Sequence, residues 1–168
     1  YDIVKSLKPG GTFLLNCTWT AEELDANLPG QLKRYIAEND IKFYIIDAVK
    51  IAQEIGLGGR INMIMQSAFF KLADVIPLET AVKHLKEAVE HSYGKKGQNI
   101  VDMNNAAIDQ GINAIVAVEV PAAWANAEDS KLAAETGNEF VDQLLIPMNR
   151  LEGDKLPVSA FNKYADGT

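Results

Sequence analysis

Cysteine is almost absent: Cys17 stands alone in 168 residues, so no internal disulfide can staple the chain. It sits inside an apolar run, where a lone cysteine reads as a small core residue and fits a reducing cytosol. No HExxH pattern and no Cys/His cluster occurs, so no metal site and no iron–sulfur site is expected within the chain. The two histidines, His84 and His91, fall beside charged neighbours on a predicted helix and read as solvated. Basic clusters are missing too: the largest is Lys95-Lys96, in a chain of net charge −7 and pI near 4.8. Nucleic-acid binding, which leaves a basic footprint, is thereby disfavoured. No apolar run reaches the roughly 20 residues of a membrane helix. With neither a signal peptide nor a transit sequence in view, the expected location is cytoplasmic.

What is present is ordinary for a globular protein: 48% hydrophobic residues and 23% charged ones. A chain of this size can bury close to 70% of the surface its unfolded form exposes. One domain, with a tail, is the natural expectation.

The chain is organised around residues 56–77, GLGGRINMIMQSAFFKLADVIP. Three glycines end one apolar periodic run. A second run starts at once, and only Asn62, Gln66, Ser67, Lys71 and Asp74 break it between Ile61 and Ile76. A helix apolar nearly all round is buried on several sides, so a central helix packed within a domain or against a neighbour is expected. Its entrance carries the most suggestive chemistry. Glycines let backbone amides approach a ligand, the first turn of a helix leaves its N–H groups unpaired, and Arg60 adds a permanent cation. Gly58, Gly59 and Arg60 thus form a candidate phosphate or carboxylate site. A structural role competes with it: Gly56 as helix C-cap, Gly58 and Gly59 as a turn, Arg60 paired with an acid. LGGR has the spacing of neither phosphate-loop motif.

Around that centre the pattern is α/β. Tyr1 to Leu7 reads as the last turns of a helix, Lys8-Pro9-Gly10-Gly11 as a turn, and Thr12 to Cys17 as a buried parallel strand. That is half of a βαβ unit whose first strand is missing. Asn16 to Thr20 lie at the strand's carboxyl end, where open α/β sheets place ligands. Thr20 and Glu23 have capping-box spacing before a short helix at Ala21 to Leu24. A longer helix covers Pro29 to Asn39, a second strand Ile41 to Ile46, and Asp47 caps a helix that stops at Gly56. An amphipathic helix follows Pro77, and Gly94-Lys95-Lys96-Gly97 is a turn. A short helix runs from Asn104 or Asn105 to Asp109 and ends at Gly111. Ile112 to Val120 fits either a helix turn or a strand. From Ala122 the texture loosens, Glu139 to Leu145 suits one more helix, and Met148 to Thr168 reads as a linker. The expected fold is α/β: a mostly parallel sheet flanked by helices, lacking its N-terminal part, with a helical second half and an extended C-terminal linker. Both ends suggest a piece of a longer polypeptide.

The words themselves carry more. LKPGGTFLL resembles a late strand of class I methyltransferases, but the glycine-rich loop and ribose-binding acid those enzymes need are absent. YDIVKSLKPGGTFLLN, GLGGRINMIMQSAFFKLADVIP and YGKKGQNIVDMNNAAIDQGINAIVAVEVPAAW resemble the pyruvate:ferredoxin (flavodoxin) oxidoreductases. More closely, they resemble the internal domain equivalent to the gamma subunit of 2-oxoacid:ferredoxin oxidoreductases. The resemblance covers about residues 1–125, with 126–168 as an extension towards a ferredoxin-type cluster domain. It implies oxidative decarboxylation of pyruvate with coenzyme A to acetyl-CoA and carbon dioxide, with electrons passed to ferredoxin or flavodoxin. It implies thiamine diphosphate, [4Fe-4S] clusters and coenzyme A in the full enzyme, a homodimer when intact, and other domains of the same polypeptide as this chain's partners. No cofactor is expected to be bound by this chain alone, no catalytic residue is assigned to it, and it should be inactive by itself. The gamma domain is associated with coenzyme A, which would suit Gly58, Gly59 and Arg60 with Asn62 or Gln66 as polar partners. A glycine-rich stretch that the family carries upstream is absent here. The alternative is a purely structural packing module without ligand contact.

Overall fold

A computed structural model describes residues 3–129, 136–150 and 152–164, apart from the side chains of Ile3 and Lys5. The expected helix start at Tyr1 and the end of the tail, 165–168, lie outside them. The chain divides into two compact units, Val4–Glu128 and a second made of Tyr1–Ile3 with Asp129–Thr168.

The first unit is a three-layer α/β arrangement. A 3-10 turn at Ile3–Ser6 leads to β1 (Thr12–Asn16), which pairs in parallel with β2 (Lys42–Ile46) from Thr12–Lys42 to Asn16–Ile46. Between them run α1 (Leu24–Asn27) and α2 (Gly30–Glu38). Side chains alternate faces along a strand, so β1 feeds two cores. Phe13 and Leu15 join Phe43, Ile45, Leu24, Ile36 and Trp124 on one face. On the other, Leu14 and Ile46 meet Ala48, Ala52, Ile64 and Ala107. That second face is covered by α3 (Ala48–Ile55), α4 (Asn62–Ala73) and α6 (Gln98–Asn113). Between α4 and α6 in sequence, α5 (Leu78–Tyr93) packs Leu85 and Val89 against Val101 and Ile108.

Several local expectations hold. Thr20 N–H donates to Glu23 Oε2 at 2.9 Å and Glu23 N–H to Thr20 Oγ1 at 3.4 Å, the capping box. The helix it introduces is Leu24–Asn27 rather than Ala21 to Leu24. Asp47 caps α3 by accepting from Lys50 N–H at 2.9 Å. Gly56 ends α3 at φ 92°, with its own N–H on Gln53 and the Leu57 N–H reaching back to Ala52 at 2.8 Å. That double bond pattern is a Schellman motif, closed by the buried Leu57. His84 and His91 are exposed, and so are Lys95 and Lys96.

The α/β class holds, with the sheet mixed: β3 (Val116–Ala117), within the stretch that fitted a helix turn or a strand, runs antiparallel to β2, through Tyr44–Ala117 and Ile45–Val116. Other expectations fail, each for a tertiary reason. Neither Asn104 nor Asn105 starts a helix, and Gly111 does not stop one. All three lie inside α6, where Asn104 is buried and donates to the Ile100 carbonyl at 2.8 Å. Gly111 is there because α4 crosses at that point. A Cβ on it would stand 2.9 Å from Ile64 Cα and closer still to the Ile64 carbonyl oxygen and Ser67 Oγ. Ser67, fully buried, turns its hydroxyl onto the Ile64 carbonyl at 3.0 Å, and Ala68 and Ala107 keep the rest of the crossing narrow. At Ala122–Asn126 the chain is not loose: Trp124 is 3% exposed and sits at 6.3 Å, centroid to centroid, from Phe43. Its indole N–H donates to Asp25 Oδ1 at 2.8 Å, and Lys33 Nζ reaches the same oxygen at 3.2 Å.

In the second unit, Asn138 Oδ1 accepts from Phe140 and Val141 N–H at 3.0 and 3.2 Å. The helix this starts runs through a π turn at Val141–Leu145 into α7 (Ile146–Asn149). Where the sequence reads as an extended linker, Gly153–Lys155 and Val158–Tyr164 wind into 3-10 turns that satisfy their own backbone. Phe140 packs edge-on against Tyr164, and Lys163 pairs with Glu139 at 2.6 Å.

Candidate functional site at the head of the central helix

The Schellman turn hands the chain to Gly58, at φ +61°, and Gly59. Neither has any atom within 4 Å of where a Cβ would stand, so the backbone there faces open space. α4 then starts at Asn62 with Ile61 in the cap position. Isoleucine has no side-chain acceptor, so no side chain caps the first-turn amides, and Met65 N–H makes the first return bond, to Ile61 at 2.9 Å. Arg60 is exposed at this mouth and forms no ion pair among the described residues. Asn62 and Gln66, four residues apart, lie one turn above the other on the exposed side of α4.

The five expected residues therefore form one strip: a glycine turn, a cation, a helix N-terminus and two amide side chains. All five are solvent-exposed, so among the described residues the strip is an open surface. An anion there would meet backbone N–H groups, the positive end of the helix and the Arg60 guanidinium. The structural reading holds for the glycines, since Gly56 caps the helix and Gly58 with Gly59 turns the chain, while its acid partner for Arg60 is not found among the described residues.

A concavity of about 570 Å³ lies at the carboxyl ends of β1 and β2, with Cys17, Trp19, Asp47, Lys50 and Glu54 among its lining. Of its polar groups Asp47 is already employed as the cap of α3, and Asn16, at the end of β1 beside it, accepts from Ala48 N–H at 3.0 Å. Burial pushes the Cys17 thiol up, and its Sγ–H points to the Trp19 carbonyl at 3.9 Å, so it is a protonated wall atom rather than a nucleophile. No group of three or more His, Cys, Asp and Glu among the described residues could hold a metal ion. No described helix is long and apolar enough to cross a membrane.

One feature of α4 escaped the sequence reading. Phe69 and Ala73 continue the line of Asn62 and Gln66 at helical spacing, and they too are exposed. The spacing i, i+4, i+7, i+11 was available as a signal. Nothing in an all-apolar pattern says which face stays uncovered.

A family model described as pyruvate ferredoxin/flavodoxin oxidoreductase matches residues 1–114. The chain belongs to the pyruvate ferredoxin/flavodoxin oxidoreductase family. A second family model, described as a domain of unknown function, matches residues 127–168. Among relatives in the family, the pyruvate-flavodoxin oxidoreductase of Enterobacter agglomerans is 60% identical over 168 residues, which are 100% of this chain and 14% of that protein. The pyruvate:ferredoxin oxidoreductase of Moorella thermoacetica is 54% identical over 162 residues, 96% of this chain and 14% of the relative. The mitochondrial pyruvate dehydrogenase [NADP(+)] of Euglena gracilis is 45% identical over 167 residues, 96% of this chain and 9% of the relative. The chain thus spans about one-seventh of the length of the first two relatives.

Proposed function

We propose that this chain acts as a part of a longer cytoplasmic polypeptide that oxidatively decarboxylates pyruvate, forming acetyl-CoA and carbon dioxide and passing electrons to ferredoxin or flavodoxin. The support is the 60% and 54% identity over essentially the whole chain to relatives bearing those names. Residues to about 125 would form the gamma-type domain and 126–168 its extension, working with other domains of the same polypeptide in a homodimer. Coenzyme A would supply the thiol that accepts the acetyl group. Its phosphates suit the strip described above: Gly58 and Gly59 offer approachable amides, Arg60 a fork of donors, Asn62 and Gln66 neutral donors. Thiamine diphosphate and iron–sulfur clusters would lie in other domains, since one cysteine cannot supply a cluster's thiolates.

The observation that carries the coenzyme A role is the uncapped N-terminus of α4 beside an exposed Arg60 that forms no ion pair among the described residues. Steady-state kinetics of the intact enzyme test it. Arg60→Ala should raise KM for coenzyme A and leave KM for pyruvate unchanged. A second role, packing alone, is favoured by the exposed apolar residues at the other end of α4. On that account Arg60→Ala leaves KM for coenzyme A unchanged and lowers soluble yield.

A further inference from the structure

α4 is covered on three sides and bare on the fourth. Ile64, Ser67 and Ala68 are fully buried against α6, and Met63 and Phe70 pack into the clusters shared with α3, α5 and α6. Lys71 lies on the α6 side as well, donating to the Ile112 carbonyl at 2.8 Å. The uncovered line begins with Asn62 and Gln66 and continues through Phe69 and Ala73, with Val75 and Ile76 beyond the helix end. Phe69 is 56% exposed, Val75 65% and Ile76 38%. Phe69 on the last turns of α4, with Val75 and Ile76 just past the helix end, leaves three large apolar side chains exposed at the end of a helix otherwise central to the core, which marks an interaction surface.

We infer that the exposed Phe69, Val75 and Ile76 at the C-terminal end of α4 are the docking surface for an apolar face of another domain of the same polypeptide. Two observations favour that occupant. The relatives that match the whole chain are about seven times its length, so an intramolecular partner is held at high effective concentration. The stripe is also polar at one end and apolar at the other. A second copy covering the whole stripe antiparallel across a two-fold axis would set Arg60 and Asn62 of each chain against Val75 and Ile76 of the other, a mismatch that leaves it only the apolar end to meet. An intramolecular domain has no such constraint. The inference rests on the chain working inside a longer polypeptide, and it does not depend on coenzyme A being the ligand.

Hydroxyl-radical footprinting of the intact polypeptide, without ligand and read by mass spectrometry at Phe69, Val75 and Ile76, tests it. The expected result is oxidation several-fold slower than in the denatured polypeptide, unchanged when any dimer is diluted to the single polypeptide. Oxidation at the denatured rate overturns the proposal, and so does protection that vanishes on dilution, which would name a second copy as the occupant. In the intact polypeptide, Phe69→Asp should unmask Val75 and Ile76 several-fold while Phe69→Leu keeps them protected; equal protection in both variants also overturns it. Failure here is separable from failure of the ligand reading, which is decided by the coenzyme A kinetics of Arg60→Ala.

Discussion

Replacing Gly111 with alanine tests how the interior of the first unit is set. In an exposed helix this change stabilises, because alanine is favoured over glycine by about 1 kcal/mol. At Gly111 the added methyl would sit 2.9 Å from Ile64 Cα and closer to the Ile64 carbonyl oxygen and Ser67 Oγ. Ser67 could turn away, but its hydroxyl is fully buried and would give up its bond to Ile64. The Ile64 backbone can yield only if α4 moves as a body. Overpacking of this kind costs roughly 1–3 kcal/mol, and an obstacle made of backbone belongs at the upper end. After subtracting the gain in helix propensity, a net loss of about 1–2 kcal/mol is expected. Urea unfolding followed by circular dichroism should show a lower midpoint with an unchanged slope. Gln110→Ala, at an exposed neighbouring position of α6, is the control and should be close to neutral. A Gly111→Ala protein as stable as the parent would refute the idea that this glycine sets the α4–α6 distance.

Two further outcomes follow from the polar groups. The Lys33 ammonium and then the Trp124 indole hold the Asp25 carboxyl below the usual aspartate range. A depressed folded value means the stabilisation is present above the unfolded value and fades as the pH falls through the folded one. Asp25 is exposed, so the slope should be shallow, and Asp25→Ala should flatten the acid limb of a Trp-fluorescence stability curve below about pH 4. An unchanged limb would show that the Asp25–Trp124 bond is not part of the acid response. Cys17, its thiol pushed up by burial, should react with iodoacetamide more slowly than free cysteine at pH 7.5 and catch up once urea unfolds the chain; reaction at the free rate would contradict its partly buried, protonated state.

What could be read without coordinates was local chemistry. Asp47 before an apolar periodic run, Thr20 three residues ahead of Glu23 and Gly56 at a helix end each act on their own neighbours, so their roles are written in the adjacent residues. Gly111 was misjudged because its reason for being glycine, Ile64 and Ser67, lies more than forty residues upstream. The Trp124–Asp25 bond spans 99 residues, and no periodicity predicts it. The strip from Gly58 to Gln66 was legible as a list of groups because they are sequential on a turn and a helix. Its openness, and its continuation into Phe69, depend on which face α6 leaves bare, and that is settled by packing.

The most direct test of the coenzyme A role is equilibrium titration of the intact protein with coenzyme A, comparing the parent with Arg60→Ala. A charge-assisted contact at an exposed position is worth about 1.5 kcal/mol, the low end for such bonds, so a roughly ten-fold weaker Kd is expected. The loss should shrink as salt rises, as it does for any exposed charge pair. An unchanged Kd in a variant that stays folded would contradict the site at the head of α4 and leave this domain as packing alone.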